Sequence, residues 1–440
     1  MERRIFDELV SWKKSKRRKP LVLMGARQVG KTYALNWLKE EKFENGLFVN
    51  FEEHPEAKGF FDGKLDPHSL IEKLGIFFRQ KVTPGETLIV FDEIQECPRA
   101  LTALKYFCEK APTYHIAAAG SLLGVKISKE SGFPVGKVDF LNMHPLTFFE
   151  FMKAIGEGNL IKMVEETTGF SPLPTPFHER LNELLKSYFF VGGMPEAVFY
   201  FNETREFDGV RKIQKDILTA YQLDISKHAA GHDIQKIFTL WENIPSQLAK
   251  DNRRFIFSAL VRSARAREYE TAMQWLIDAG LVIKVENLSA ARIPLASYAS
   301  RNQFKLFMLD VGLLGAMARL SSQTVVLGEG VFTEFKGAFV ENFVAEELSS
   351  QADIKPYYWT SGNQAEVDFV VENRGQIFPL EVKAGVNIKA KSLHVFADHF
   401  NSSVLSRTSL RNFARKGSMC DFPLYAIHRF PELSHLALKN

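Results

Sequence analysis

The pattern with the clearest chemistry is a glycine-containing loop near the amino terminus. It has the spacing GxxxxGK[ST], and its residues are Gly25, Ala26, Arg27, Gln28, Val29, Gly30, Lys31 and Thr32. Glycines allow successive backbone N–H groups to face an anion, and the N-terminus of a following helix favours negative charge. The loop is therefore predicted to bind the phosphates of ATP, with Lys31 at the terminal phosphates and the Thr32 hydroxyl on Mg²⁺. A strand-to-helix turn without a ligand is the alternative.

Two adjacent carboxylates, Asp92 and Glu93, end the apolar run Leu88–Phe91 about 60 residues after this loop. A parallel strand delivers the side chains at its carboxyl end to the sheet edge where ligands bind. We therefore predict that Asp92 holds Mg²⁺ through water and that Glu93 polarises the attacking water. A buried strand that simply ends in acids is the alternative.

A third candidate group lies in the last third of the chain. Helical spacing over 333–349 places Glu341 on a stripe that is otherwise small and apolar, and an acid facing a core is costly unless it binds something. Asp368 and Glu381 lie on two predicted strands that flank Asn373-Arg374-Gly375. A two-residue turn at Arg374–Gly375 pairs Asp368 opposite Glu381.

The alternation of side chains along these two strands extends that group. With a period of two, Glu366, Asp368, Glu381 and Lys383 share one face of the hairpin. Glu366 is expected to form a salt bridge with Lys383. The sequence therefore predicts that three acids and a lysine converge beside Glu341.

Several stretches resemble a prokaryotic AAA-type ATPase family whose members carry a C-terminal domain long labelled as of unknown function. They are the GARQVGKT loop, FDEIQECPRALTALKYF, the AGS turn at 119–121 and HPLTFFEF at 144–151. The resemblance implies that Ser121 is a catalytic residue that senses the γ-phosphate, although a helix-capping serine is an equal alternative. Where the family has an arginine after Gly136, this sequence has Lys137, which supplies charge without bidentate phosphate contact.

The C-terminal pattern resembles the PD-(D/E)xK nuclease motif, with Asp368 followed by Glu381-x-Lys383. The resemblance implies that Glu341, Asp368 and Glu381 bind Mg²⁺ or Mn²⁺, while Lys383 positions or deprotonates the attacking water. Asp368, Glu381 and Lys383 are therefore the predicted catalytic residues of this second site. A nuclease-like fold without cleavage activity is the alternative.

The middle of the chain is predicted to form a helical lid and a winged helix. Residues 151–230 are predicted to be helical. The turn Gly192-Gly193-Met194-Pro195 resembles a lid segment that closes over the nucleotide. The alternative is a turn that only ends a helix. Three helices and the strands 281–285 and 304–308 indicate a winged helix. Its arginines form a basic patch that suits DNA phosphates, a solvated face or a protein-docking surface. They are Arg253, Arg254, Arg262, Arg265, Arg267, Arg292 and Arg301.

Composition narrows the class of protein. The chain has 440 residues, which predicts two to four domains, and its 45% hydrophobic and 25% charged content is that of a globular protein. A net charge of +4 names no partner, and three cysteines without CxxC spacing fit a reducing compartment. No apolar run reaches about 18 residues, so a cytoplasmic protein without a membrane span is expected.

Together these patterns predict an α/β protein of four segments. They are a P-loop AAA-type ATPase domain at 1–150, a helical lid at 151–230, a winged helix at 231–315, and a restriction-endonuclease-like αβββαβ domain at 316–440. The predicted function is Mg²⁺-dependent hydrolysis of ATP coupled to action on or near double-stranded DNA, with metal-dependent DNA cleavage as a further activity. The alternative is an ATP-dependent switch or scaffold for a protein partner or a homo-oligomer, with an inactive nuclease fold.

Overall fold

The chain folds into two units, each built around its own β-sheet. The structure is a computed structural model, and it describes residues 1–120, 136–250, 254–260, 265–322, 332–362, 364–385 and 390–439. The first unit comprises Met1–His144 and Asp278–Gly280, and the second comprises Pro145–Ile277 and Leu281–Asn440. None of the helices that the structure describes is long and apolar enough to cross a membrane. The predicted boundaries at 150, 230 and 315 stay predictions.

A parallel sheet of five strands, in the order β2-β3-β4-β1-β5, forms the centre of the first unit. The strands are β1 (Leu21–Met24), β2 (Asn45–Asn50), β3 (Thr87–Asp92), β4 (His115–Ala119) and β5 (Asp139–Asn142). The helices are α1 (Ile5–Lys14), α2 (Lys31–Lys42), α3 (Pro67–Phe77) and α4 (Pro98–Lys110). Every residue of β3 and β4 is buried, as expected for apolar strands covered on both faces. This sheet confirms the predicted α/β class.

The second unit has helices before, between and after its strands. They are α5 (Phe148–Ala154), α6 (Gly158–Glu165), α7 (Thr175–Val191), α8 (Pro195–Thr204), α9 (Phe207–His228), α10 (Gly231–Leu248), α11 (Ala266–Asp278), α12 (Val311–Met317), α13 (Phe332–Ser349), α14 (Lys391–Phe400) and α15 (Phe430–Lys439). Aromatic side chains join α5 and α7 to α13, because the Tyr188 ring lies 5.6 Å from the ring of Phe148 and 5.9 Å from that of Phe343. The predicted lid segment therefore packs on the first helix of the predicted nuclease-like segment.

The sheet of the second unit has eight strands in the order β12-β13-β11-β10-β9-β8-β6-β7. They are β6 (Val282–Leu288), β7 (Ala299–Met308), β8 (Tyr357–Thr360), β9 (Glu366–Asn373), β10 (Gln376–Val382), β11 (Leu405–Ser409), β12 (Ala414–Lys416) and β13 (Met419–Pro423). The hairpin predicted as the wing, β6 and β7, is present. It also pairs in parallel with β8 through Glu286 and Tyr357, so it extends the C-terminal sheet. A separate winged helix is therefore not confirmed.

The predicted turn at Arg374–Gly375 is present between β9 and β10. Both residues have positive φ angles, 49° and 71°, the left-handed conformation that a two-residue hairpin turn needs. The ladder starts with Gln376 opposite Asn373 and runs to Leu380 opposite Phe369. Continued by one residue, this register places Asp368 opposite Glu381, as the sequence predicts.

Candidate nucleotide and C-terminal sites

The glycine-containing loop joins β1 to α2 in a conformation that only small residues allow. Gly25 has a φ of 153°, and a Cβ atom there would lie 2.3 Å from the backbone oxygen of Met143. Gly30 has a φ of 98° and forms the N-cap of α2. Both glycines are therefore required by geometry, and the first turn of α2 directly follows the loop.

Lys31 folds back over this loop. Its side chain is buried, and its Nζ donates hydrogen bonds to the carbonyl oxygens of Gly25 at 3.0 Å and Ala26 at 2.8 Å. A buried ammonium group needs such partners, because burial without hydrogen bonds costs several kcal/mol, about 2 to 7 for a polar group. The loop thus concentrates a positive charge and a helix N-terminus at one place, which suits polyphosphate.

Thr32 and Asp92 meet at the end of β3. The Thr32 hydroxyl donates to Asp92 Oδ2 at 2.8 Å, and the Asp92 side chain is almost fully buried. Burial raises the pKa of Asp92, and the charge of Glu93 adds to the rise, against the hydrogen bonds from Thr32 and from the Glu93 backbone N–H. A cation at these two oxygens would stabilise the ionised carboxylate. The donor set is all oxygen, which fits Mg²⁺.

Glu93 lies beside this pair in a strained backbone conformation. Its φ of 48° is left-handed, which is uncommon for a residue with a side chain and recurs at functional sites. The Gln95 amide donates to its carboxylate and orients it.

Lys137 forms an ion pair with Glu109, with 3.0 Å between Nζ and Oε1. Ser121 lies outside the described residues, so its predicted role stays a prediction.

In the second unit, the structure brings the predicted C-terminal residues together. Asp368 Oδ2 accepts the backbone N–H of Val382 at 2.8 Å, and Lys383 Nζ donates to Glu381 Oε1 at 2.6 Å. Burial and then the charge of Asp368 raise the pKa of Glu381 to about 7, against the lowering effect of Lys383 and Lys305. Glu381 Oε2 is buried and has no hydrogen-bond partner among the described residues.

Sequence reasoning missed the residue at the centre of this cluster, Lys305 on β7. Its Nζ lies 2.7 Å from Glu366 Oε1, 3.4 Å from Glu341 Oε2 and 3.9 Å from Asp368 Oδ1. The side chain is fully buried. The available signal was a lysine inside the apolar run Phe304–Met308, because a charge in a buried strand must find a partner.

The expected salt bridge between Glu366 and Lys383 is wrong. Glu366 pairs with Lys305 and with Arg254, whose nearest nitrogen lies 3.8 Å away. Lys383 pairs with Glu381 instead. The physical reason is that the ammonium group of Lys305 is fully buried and has no access to water, so it must be paired with a carboxylate. Lys383 is partly exposed, and water can solvate its ammonium group.

The turn at Gly192–Gly193 ends α7, as one of its two interpretations predicts. Gly192 has a φ of 71° and is the C-cap of the helix. The Gly193 N–H donates to Asp310 Oδ2, and Gln214 donates to the carbonyl oxygens of Phe190 and Val191. The turn is therefore buried and fixed within the second unit.

Of the predicted basic patch, five arginines are described. Arg265, Arg267, Arg292 and Arg301 are exposed, whereas Arg254 is half-buried against Glu366. Arg253 and Arg262 lie outside the described residues.

Comparison with known protein families supports the class of the first unit. Residues 17–152 match the family described as AAA domain. Residues 182–324 and 336–427 match two families described as domains of unknown function, DUF8612 and DUF4143. The segment that matches an AAA domain contains Lys31, Thr32 and Asp92 at its sheet edge. No curated protein matches the chain.

Several solved structures are similar to the chain at low identity. The Walker-type ATPase PABY2304 of Pyrococcus abyssi is 15% identical over 72% of this chain and 95% of its own, with a TM-score of 0.45. Cdc6p of Pyrobaculum aerophilum is 14% identical, and the match covers 72% of this chain and 92% of Cdc6p, with a TM-score of 0.24. AMPPCP-bound DnaA of Aquifex aeolicus is 11% identical, and the match covers 62% of this chain and 85% of DnaA, with a TM-score of 0.25.

Proposed function

We propose that the protein binds ATP with Mg²⁺ and hydrolyses ATP to ADP and phosphate. The observation that carries this proposal is the 2.8 Å hydrogen bond between the Thr32 hydroxyl and the buried Asp92 carboxylate, one residue from Lys31. These two oxygen groups would hold Mg²⁺, which supplies Lewis-acid stabilisation of phosphate charge when bound. Lys31 contributes a fixed positive charge to the terminal phosphates.

Glu93 is proposed to orient and polarise the attacking water. Glu93 directly follows the end of β3 in a left-handed backbone conformation, and the Gln95 amide donates a hydrogen bond to its carboxylate. Ser121 is proposed to sense the γ-phosphate.

The experiment measures ATP affinity and phosphate release separately. Lys31→Ala should lose ATP binding, whereas Glu93→Gln should keep the affinity of the wild type and lose turnover. Lys42→Ala, an exposed lysine on the same helix, is the matched control and should behave as the wild type. Unchanged ATP affinity in Lys31→Ala would refute the proposed site.

We further propose that the second unit contacts double-stranded DNA through its exposed arginines. Arg265, Arg267, Arg292 and Arg301 are exposed and thus available to phosphates. A protein partner or a second copy of the chain at the same surface is the rival occupant.

Metal-dependent DNA cleavage by Asp368, Glu381 and Lys383 stays a prediction. Among the residues that the structure describes, no three carboxylate, imidazole or thiolate side chains are grouped so that they could hold a metal ion. The predicted ligands Glu341 and Asp368 instead surround the ammonium group of Lys305. This observation favours the second candidate function, an ATP-dependent switch whose nuclease-like part does not cleave.

A cleavage assay distinguishes the two hypotheses for the second unit, a switch that does not cleave DNA and a metal-dependent nuclease. Purified protein is incubated with plasmid DNA and Mg²⁺ or Mn²⁺, beside Lys383→Ala and Asp368→Ala. A switch predicts equal and negligible nicking in all three proteins. Cleavage by the wild type that both substitutions abolish would restore the nuclease hypothesis.

A further inference from the structure

The C-terminal acidic cluster contains a cation that the chain itself supplies. Lys305 comes from β7, whereas Glu341 comes from α13, and Glu366 and Asp368 come from β9. All three carboxylates lie within 3.9 Å of its Nζ, and the ring centroid of Tyr358 lies 5.2 Å from the same atom. A fully buried ammonium group persists only where such groups replace its hydration.

The distances from these carboxylates to Lys305 Nζ suit an ammonium group and are longer than those from a small divalent cation to its ligands. The distances of 2.7 to 3.9 Å are those of N–H···O contacts and ion pairs. Mg²⁺ demands oxygen ligands at about 2.0 to 2.1 Å in near-octahedral geometry. The carboxylates would have to close around the ion, and Lys305 would have to leave.

Protein cations compensate most of the negative charge around the cluster. Four acids face three cations, and each acid except Asp368 has a cation within 3.4 Å. The acids are Glu341, Glu366, Asp368 and Glu381, and the cations are Arg254, Lys305 and Lys383. A divalent ion added to this set would meet the repulsion of the buried ammonium directly.

One acceptor shows that the pocket still has capacity for a cation. Glu381 Oε2 is buried without a hydrogen-bond partner among the described residues, on the strand next to Asp368. A buried acceptor without a partner is costly, at about 1 to 3 kcal/mol. The cluster therefore offers a carboxylate oxygen that accepts no hydrogen bond from Lys305.

We propose that Lys305 is a resident cation that competes with divalent metal for Glu341 and Asp368, so that replacing its charge opens a divalent-cation site at the C-terminal cluster. Lys305 thereby keeps the nuclease-like fold free of metal. This inference rests on the proposed non-cleaving role of the second unit, but its readout is metal binding and not cleavage.

The test is titration of Mn²⁺ into full-length, nucleotide-free protein, with free Mn²⁺ followed by its paramagnetic signal. Lys305→Met removes the charge at similar length, Lys305→Arg keeps it, and Lys305→Met with Glu341→Gln removes a ligand as well. Lys305→Met should gain one Mn²⁺ with at least about tenfold higher affinity than the wild type, a size typical of altered metal environments. Lys305→Arg should match the wild type, and the double variant should lose the gained site.

The proposal is overturned if the wild type and Lys305→Met bind Mn²⁺ with equal affinity, whether that affinity is high or low. A gained site that survives Glu341→Gln also overturns it, because the metal then lies elsewhere. Lys305→Gln provides a second neutral variant. If both neutral variants unfold without metal, Mn²⁺ added during refolding should restore folded protein, and failure of that rescue counts against the proposal.

The outcomes for the two proposals remain distinguishable. Mn²⁺ binding gained by Lys305→Met without DNA cleavage supports both the resident cation and the non-cleaving role. Gained binding together with cleavage by the variant alone supports the resident cation as the reason why the wild type does not cleave.

Discussion

The carboxylate of Asp310 accepts the backbone N–H of Gly193, with 2.5 Å between Oδ2 and the nitrogen, across 117 residues of sequence. Its other oxygen accepts the N–H of Leu313 at 2.8 Å and so caps α12. Burial outweighs the hydrogen bonds from three backbone N–H groups, so that the pKa of Asp310 is raised to about 6. One side chain thus fixes a helix-ending turn and begins another helix.

This contact leads to a prediction about Gly193. A Cβ atom there would lie 2.0 Å from the carbonyl oxygen of Leu146, and the backbone of Leu146 cannot yield as a flexible side chain would. Gly193→Ala should lower the free energy of unfolding by at least about 3 kcal/mol, the upper range for overpacking a closed site. Urea denaturation measures the change.

The matched control is Gly231→Ala. Gly231 begins α10, and a Cβ atom there would meet nothing within 4 Å. Alanine favours a helix over glycine by up to about 1 kcal/mol, so this variant should be neutral or slightly more stable. Equal effects of the two substitutions would contradict the role of the buried turn.

The nucleotide site yields a prediction about Thr32. Thr32→Val keeps the shape but removes the hydroxyl that contacts Asp92, so phosphate release should fall at least about tenfold and require more Mg²⁺. Thr32→Ser keeps the hydroxyl and should retain most activity. The measurement is phosphate release against Mg²⁺ concentration, and identical curves for the two variants would remove Thr32 from the metal site.

Acid should destabilise the first unit through His115. This histidine is buried between the rings of Trp12 and Phe43, and burial lowers its pKa to about 4, with the Arg18 charge adding to the effect. The unfolded chain binds the proton near pH 6.5, but the folded chain does so only near pH 4. The contribution of neutral His115 to the free energy of unfolding is therefore fully present above pH 6.5. It is lost as the pH falls towards 4, by up to about 3 kcal/mol.

The measurement for His115 is the free energy of unfolding at pH 7 and pH 5. His115→Gln should flatten the difference between the two values, whereas His54→Gln, at a partly exposed histidine of the same unit, should not. A variant that keeps the full loss of stability in acid would assign the effect to other groups.

The arginine surface predicts how DNA affinity depends on salt. If Arg265 and Arg267 each contact a phosphate, replacing both with alanine should reduce the slope of log affinity against log salt by about 2. Fluorescence anisotropy with a short duplex between 50 and 200 mM salt measures the slope. Arg180→Ala is the control, because that exposed arginine already pairs with Glu157 at 2.6 Å. An unchanged slope in the double variant would favour a protein partner at this surface.

Local patterns account for the features that were predictable from the sequence. The loop at 25–32 and the acids after β3 depend on short-range spacing, and the parallel sheet follows from strands that alternate with helices. The register of β9 and β10 follows from the turn at Arg374–Gly375, because a two-residue turn leaves one pairing.

Long-range contacts account for what was missed. Lys305 meets Glu341, Glu366 and Asp368 across 36 to 63 residues, and no local spacing encodes which carboxylate a buried lysine selects. The union of β6 with β8 likewise joins strands from two predicted domains. Hairpin strands with one open edge look alike in sequence whether they form a wing or enter a larger sheet.

The pairing of Glu286 on β6 with Tyr357 on β8 has a consequence for synthesis of the chain. The hairpin of β6 and β7 leaves the ribosome roughly 50 residues before the strand that covers its edge, which at about 5 to 20 residues per second is a delay of several seconds. During that interval its backbone edge is open to other chains, because an unpaired strand is a template for association. The nascent hairpin is thus the segment on which we expect chaperones to act first.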